Sequence, residues 1–299
     1  MSGTILDTTP RLGDPGQQRA DRSAVRRSLA GRIAIHVGLA LTALISVFPF
    51  YWLVAMATQS TAEIFGYPTR LLPGDQFGVN VANLLDSVDL LGALLNTIFV
   101  ALASAVLVMF FDSLAAFAFA KFDFPGKDVL FVLLLATFLV PGSLSLVPSF
   151  ILMSWLGWVG GFEALIVPGM ANAFGIFLLR QFAAASIPDS LVEAARIDGA
   201  GFFRTYVHVA LPMLRGGLAF LGIFTFVAQW NDYVWPLIVM VDPQRQVLQT
   251  ALQSLNAIYN TDYGMVMAGA LISVVPLIVV FLVGARHFIS NIAAGALKG

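Results

Sequence analysis

Apolar residues in this chain fall in long unbroken blocks, with neither the two-residue alternation of strands nor the one-sided stripe of soluble helices. Six blocks stand out, at about residues 33–57, 94–120, 129–153, 164–185, 213–241 and 265–285. Each is long enough to cross a hydrocarbon layer of roughly 30 Å, which takes about 20 helical residues. Barrel strands of about ten alternating residues are absent, so helices are the only spanning form left. The pattern predicts an all-α membrane protein with about six transmembrane helices. Residues 1–32 are polar, rich in Gly, Pro, Asp and Arg, and read as a mostly disordered tail ahead of a transmembrane domain over 33–299.

Composition agrees: 59% of the 299 residues are hydrophobic and 11% charged, against about 25% charged in a soluble domain. The net charge of −1 speaks against a nucleic-acid partner, which needs clustered Lys and Arg; membrane lipid is the surrounding instead. Absence of cysteine removes disulfides, thiolate metal sites and thiol nucleophiles. Ala55-Met56-Ala57 resembles a signal-peptidase site, but the apolar run before it is 25 residues, not about 7–15, so a retained anchor is expected. Pro49, Pro141, Pro148, Pro168 and Pro276 lie in or near the blocks, as kinks or as hinges of a gate.

Cations set the orientation. With the N-terminus inside, Arg11, Arg19, Arg22, Arg26, Arg27, Arg32, Lys121, Lys127, Arg180, Arg196, Arg204, Arg215, Arg286 and Lys298 are cytoplasmic, and Arg70 and Arg245 are outside. These fourteen and two account for all 16 Lys and Arg. Both termini are therefore expected in the cytoplasm. The outer loops, at about 58–93 and 242–264, are too short for separate domains, and no internal repeat supports an inverted-repeat transporter.

Between the fourth and fifth blocks lies Ile187-Pro188-Asp189-Ser190-Leu191-Val192-Glu193-Ala194-Ala195-Arg196-Ile197-Asp198-Gly199-Ala200. Ser190 and Glu193 have capping-box spacing, Pro188 marks the preceding turn and Gly199 suits a C-terminal stop. This predicts a short helix at the cytoplasmic surface. A second segment, 202–210, leads to Leu211-Pro212, where proline can open the fifth span. On pattern alone the short helix rests on headgroups or docks a partner protein.

Glu193-Ala194-Ala195, Gly199 and Val209-Ala210-Leu211-Pro212 resemble the EAA motif of ABC-importer permeases, which reads EAA, three residues, G, nine residues, I-x-LP. Only Val209 departs, in place of isoleucine. Asn96-Thr97, the run from Leu114 to Lys121, Phe124-Pro125-Gly126-Lys127, Gln229-Trp230-Asn231-Asp232-Tyr233-Val234-Trp235-Pro236-Leu237 and the ending Ala293-Ala294-Gly295-Ala296-Leu297-Lys298-Gly299 are similar to sugar-importer permeases of the maltose-type branch. The resemblance covers about 33–299, with its core at about 90–290 and the coupling loop at 187–212. It implies a type I ABC-importer permease (MetI-like) fold and import of a mono-, di- or oligosaccharide across a bacterial cell membrane. Glu193, Ala194, Ala195, Arg196, Asp198 and Gly199 would then dock a cytoplasmic ATPase. The implied partners are a second permease, two ATPase subunits and an extracytoplasmic sugar-binding protein. ATP and Mg would bind in the ATPases and no cofactor in this chain.

Gly126-Lys127 lacks the glycine and the Ser or Thr of a phosphate loop, so ATP must bind elsewhere. Asp112 sits inside the second block, where a charge costs at least ~2.5–3.5 kcal/mol; it is a pairing or snorkelling carboxylate near the cytoplasmic end, or a pathway or gate contact. Asn231 and Asp232, among aromatics, are an interface anchor or an outer gate. His36, His208 and His287 lack metal-ligand spacing. No Gly-x-Ser-x-Gly or His-Glu-x-x-His supports an intramembrane enzyme, and Asp112 is nearly the only intramembrane charge a secondary carrier could use.

Overall fold

The computed structural model describes the backbone of residues 15–256 and 261–296, and the side chains of 31–256 and 261–283. Residues 1–14 of the expected tail, the last three residues, and the side chains of Arg286 and His287 lie outside that range. Among the described residues there is no strand. The chain divides into two compact units, Met1–Leu53 and Val54–Gly299.

The helix that opens the chain, α1 (Pro15–Ala57), corrects the expected disordered tail from Pro15 onward. Pro15 suits a first helical turn, and between Gly16 and Gly31 there is no Gly or Pro to interrupt Ala, Arg, Gln and Leu, which are good helix formers. From Gly31 the helix is apolar enough and long enough to cross a membrane.

In the second unit the first loop is folded rather than loose. It holds α2 (Thr61–Ile64) and α3 (Phe77–Ser87). Ser60 and Glu63 form a true capping box, and buried Asn80 donates through Nδ2 to Ala57 O and Gln59 O, both at 2.9 Å. Gln59 Nε2 donates in turn to Arg70 O and Leu72 O. Loop backbone carbonyls are thereby satisfied by side-chain amides instead of water.

The centre is α4 (Leu90–Lys121), a 32-residue span. After α5 (Lys127–Phe138) the chain bends by 93° into a 3-10 turn and α6 (Leu146–Trp155). Next come α7 (Glu163–Ile166) and the 14-residue α8 (Ala173–Ser186), separated by irregular residues 167–172. Then α9 (Asp189–Ile197) precedes α10 (Phe202–Thr205), a π-helical stretch Tyr206–Ala210 and α11 (Leu211–Asn231), which run on as one apolar span. The last elements are α12 (Val234–Val239), α13 (Leu248–Ser254) and α14 (Tyr263–Ala296).

All six apolar blocks are therefore largely helical, but three are interrupted, and among the described residues four helices are long and apolar enough to cross a membrane, or five if the bent pair is one span. Hydropathy counts apolar residues and is blind to a break in the backbone. Pro141 at the bend and Pro168 at the gap, neither able to donate an N–H, stand where the breaks fall. Such breaks at membrane depth survive only when packed in protein or facing water.

Helices α4, α8 and α11 pack closely. Small residues permit it: Ala101, Ala105 and Ala116 are buried on α4, and a Cβ added at Gly217 of α11 would lie 3.0 Å from Leu179 and Phe182 of α8. In lipid such contacts replace hydrophobic collapse as the source of association. Trp230, fully buried, fills the space beside α14 and donates through Nε1 to Ser273 O at 3.2 Å.

Candidate functional site

Helix α9 starts at Asp189, one residue before the expected start. Ser190 does not cap it: the N-cap position is Pro188, and no side-chain capping bond is made. The capping-box spacing at Ser190 and Glu193 is thus coincidental, because Ser190 already lies in the helix. Its C-terminal end is as expected. Gly199 has φ +75°, a left-handed conformation that glycine adopts without the Cβ penalty, and Ala200 N donates back to Ala195 O at 2.9 Å.

The helix is keyed in place by one face. Ile187 and Val192 are 2% and 3% exposed and join a cluster with Phe117, Tyr206, Ala210 and Leu214. Lys121, the last residue of α4, donates to Asp189 Oδ1. The Arg196 guanidinium lies 4.8 Å from the centre of the Phe122 ring, a cation–π contact. The other face is open: Glu193, Ala194, Asp198 and Gly199 are exposed, Ala195 is half-buried, and Ile197 is 87% exposed. An isoleucine so exposed, flanked by Arg196 and Asp198, makes a small apolar knob with charged neighbours. The six residues singled out from sequence thus lie on one short helix and its terminal turn.

Pro212 stands in the first turn of α11, as expected, although the apolar helical run already begins at Phe202. The helix runs through it, and the π-helical turn before it is where the lost donor is absorbed: Leu211 N donates to Tyr206 O, one residue farther back than an α-helix allows.

Asp112 lies elsewhere, fully buried between α4 and α8. Its Oδ1 accepts from Asn172 N at 3.0 Å and its Oδ2 from Asn172 Nδ2 at 3.1 Å, while Asn172 Oδ1 caps α8 by accepting from Gly175 N at 2.8 Å. This favours pairing over a pathway contact. Asn231 ends α11, exposed, with Nδ2 donating to Val227 O at 2.8 Å. Asp232, half-buried, follows as the C-cap of α11, its N–H donating to Gln229 O at 3.3 Å. Trp230 is in the core and Trp235 Nε1 donates to Ala164 O at 2.8 Å, so these two tryptophans anchor protein rather than headgroups. Neither Asn231 nor Asp232 adjoins Asp112 in these bonds. His36 and His208 bond to carbonyls one turn back, and among the described residues no His, Asp and Glu group could hold a metal.

Sequence reasoning missed a row of phenylalanines. Phe138 stacks on Phe174 with centroids 6.4 Å apart, Phe174 lies 5.0 Å from Phe224, and Phe224 stacks on Phe220 at 6.2 Å. The first two rings border a groove of about 630 Å³ between α5 and α8. Rings from three helices give no periodic signal in sequence, though 25 phenylalanines in 299 residues was a hint.

Comparison with known proteins agrees with this geometry. The chain is 30% identical over 276 residues to the lactose transport system permease protein LacG of Rhizobium radiobacter, covering 92% of this chain and 99% of that one. It is 31% identical over 284 residues to the diacetylchitobiose uptake system permease protein NgcG of Streptomyces coelicolor, covering 94% and 92%. The crystal structure of a bacterial ABC transporter involved in the import of the acidic polysaccharide alginate matches with a TM-score of 0.76 at 26% identity, over 88% of this chain and 98% of that one. Residues 113–293 match the model of the binding-protein-dependent transport system inner membrane component, and the chain belongs to that family of multi-pass transport permeases.

Proposed function

We propose that this chain is one of two permeases in a bacterial ATP-driven importer that carries a sugar into the cytoplasm. The relatives named for lactose and diacetylchitobiose support a small saccharide. The observation that carries the reading is α9: its anchor face is buried, and its motif face of Glu193, Ala194, Arg196, Asp198 and Gly199 is presented to solvent.

A solute-binding protein delivers sugar to the outer side, where Asn231 and Asp232 lie close to the gate. Two cytoplasmic ATPase subunits bind ATP and Mg, close, and displace α9 in each permease. That displacement shifts the bundle between inward-open and outward-open states. Both termini face the cytoplasm, with residues 1–32 as an inside segment and 33–299 as the membrane domain. The phenylalanine row from Phe138 to Phe220 offers ring faces on which a sugar slides.

Docking is tested with Glu193→Ala and Gly199→Asp in the complete importer. Both should abolish uptake and the ATPase stimulation by binding protein while membrane insertion continues. Normal uptake by Gly199→Asp overturns the assignment. The purified chain alone should hydrolyse no ATP.

A further inference from the structure

We propose that Asp112 is a positioning residue for transport: it bolts the start of α8 to α4, so that displacement of α9 reaches residues 167–172 without loss. The inference rests on the docking role of α9.

The start of α8 poses a local problem. A helix that begins within the bundle, after an irregular segment, exposes backbone N–H groups where no water satisfies them. Asn172 meets one of these by accepting from Gly175 N, and Asp112 holds Asn172 by both its backbone and its side-chain N–H. The positive end of the helix dipole also favours a carboxyl there. Together these offset the cost of placing Asp112 in a membrane helix.

The fit is too close to be incidental. At Gly175 any Cβ would collide with Asp112 Oδ2 and come within 3.1 Å of Leu221 on α11. Three helices therefore meet at one carboxyl and one glycine.

The far end of α8 is attached separately. Ile187 and Val192 enter the cluster around Phe117, and Asp189 bonds Lys121. Between these two ends, Leu179 meets Val108, Ala116 and Leu221. Such apolar contacts fix register weakly in a bilayer, because lipid tails replace them at little cost. The directional bonds of Asp112 are what keep the roughly 21 Å of α8 from slipping along α4 when α9 is displaced.

The test exploits the absence of native cysteine. Ala171 is exposed in the irregular segment, so A171C is labelled with N-ethylmaleimide in the complete importer, with and without MgATP and vanadate. The labelling rate should change by about fivefold or more, the lower range of allosteric coupling. Adding D112N should reduce that change to below about twofold while vanadate-sensitive ATP hydrolysis persists. The D112N/N172D exchange should restore it. In that variant the introduced carboxylate accepts from Gly175 N and from the introduced amide, whose oxygen accepts from the backbone N–H at 172.

A wild-type response in D112N, no response in the A171C parent, or an exchange variant as unresponsive as D112N each overturns the proposal. G199D run in parallel separates the two readings. Normal uptake there removes the docking role of α9, whereas a responsive D112N beside an inactive G199D removes only the bolt.

Discussion

Lys121 Nζ lies 2.7 Å from Asp189 Oδ1, and the lysine side chain is 6% exposed while the aspartate is 80% exposed. The pair joins the last residue of α4 to the first of α9, and its asymmetry makes its two partners unequal. Removing Asp189 strands a buried ammonium; removing Lys121 leaves a carboxylate already in solvent. Asp189→Ala should therefore destabilise the complex more than Lys121→Met, by about 1–2 kcal/mol, between the values for exposed and buried pairs. Thermal unfolding of both variants in one detergent checks the order, and equal or reversed losses contradict it.

Within this chain Gly199 needs only its φ of +75°, since nothing lies within 4 Å of the place its Cβ would occupy, and a charge there would meet only what docks on α9. Asn tolerates this conformation best among other residues and β-branched residues worst. Uptake should fall in the order Gly199→Asn, Gly199→Ala, Gly199→Val. The spread between Ala and glycine should be about 1–2 kcal/mol in local stability, read by hydrogen exchange of Asp198 to Ala200. Valine matching asparagine would mean that the turn itself is unimportant.

Trp230 combines full burial with one hydrogen bond to Ser273 O. Trp230→Phe keeps most of the volume and leaves the helix carbonyl its backbone options, so a loss of about 1 kcal/mol is expected. Trp230→Ala opens a cavity and should cost about 3–5 kcal/mol. Folded yield and melting temperature of the two variants provide the comparison. A headgroup anchor would instead show small, similar losses.

The Glu63 carboxyl is held below its ordinary pKa by the Ser60 backbone N–H first, then by the Ser60 hydroxyl and Arg70. A lowered folded value means the stabilisation is complete above the unfolded carboxylate range and disappears as pH falls through the folded value. The amides of residues 60–72 should thus keep their hydrogen-exchange protection at neutral pH and lose it only under acid conditions below the usual carboxylate range. Glu63→Gln should show lower protection at neutral pH and no such acid step.

Much of this architecture is written locally in the chain. Runs of apolar residues announce the spans, and α9 is announced by Glu193-Ala194-Ala195 with Gly199, because spacing within one short helix is a sequence property. The interruptions at 139–145 and 167–172 were only hinted at by Pro141 and Pro168, since hydropathy is the same on either side of a break. The partner of Asp112 was not legible at all: Asn172 is 60 residues away, and only packing of α8 on α4 brings them together. The Ser-x-x-Glu spacing that suggested a cap at Ser190 occurs again at Ser60-Thr61-Ala62-Glu63, and there it does cap a helix, while Pro188 and Asp189 start α9 ahead of Ser190.

The π-helical turn at Tyr206–Ala210 stores one residue of slack in this connection. Leu211 N reaches Tyr206 O across five residues where an α-helix reaches across four, so the helix before the turn keeps nearly the rotation it would have in an unbroken α-helix. Deleting one residue from the turn would let the helix close in ordinary register while Phe202 stays beside Phe122 and Phe117, 5.0 Å and 5.5 Å away. A deletion within the α-helical stretch of α11 has no such slack and turns everything before it by about 100°. Single-residue gaps in natural variants should therefore fall at the exposed Val207 and His208 of this turn, and not at buried Tyr206 or Ala210.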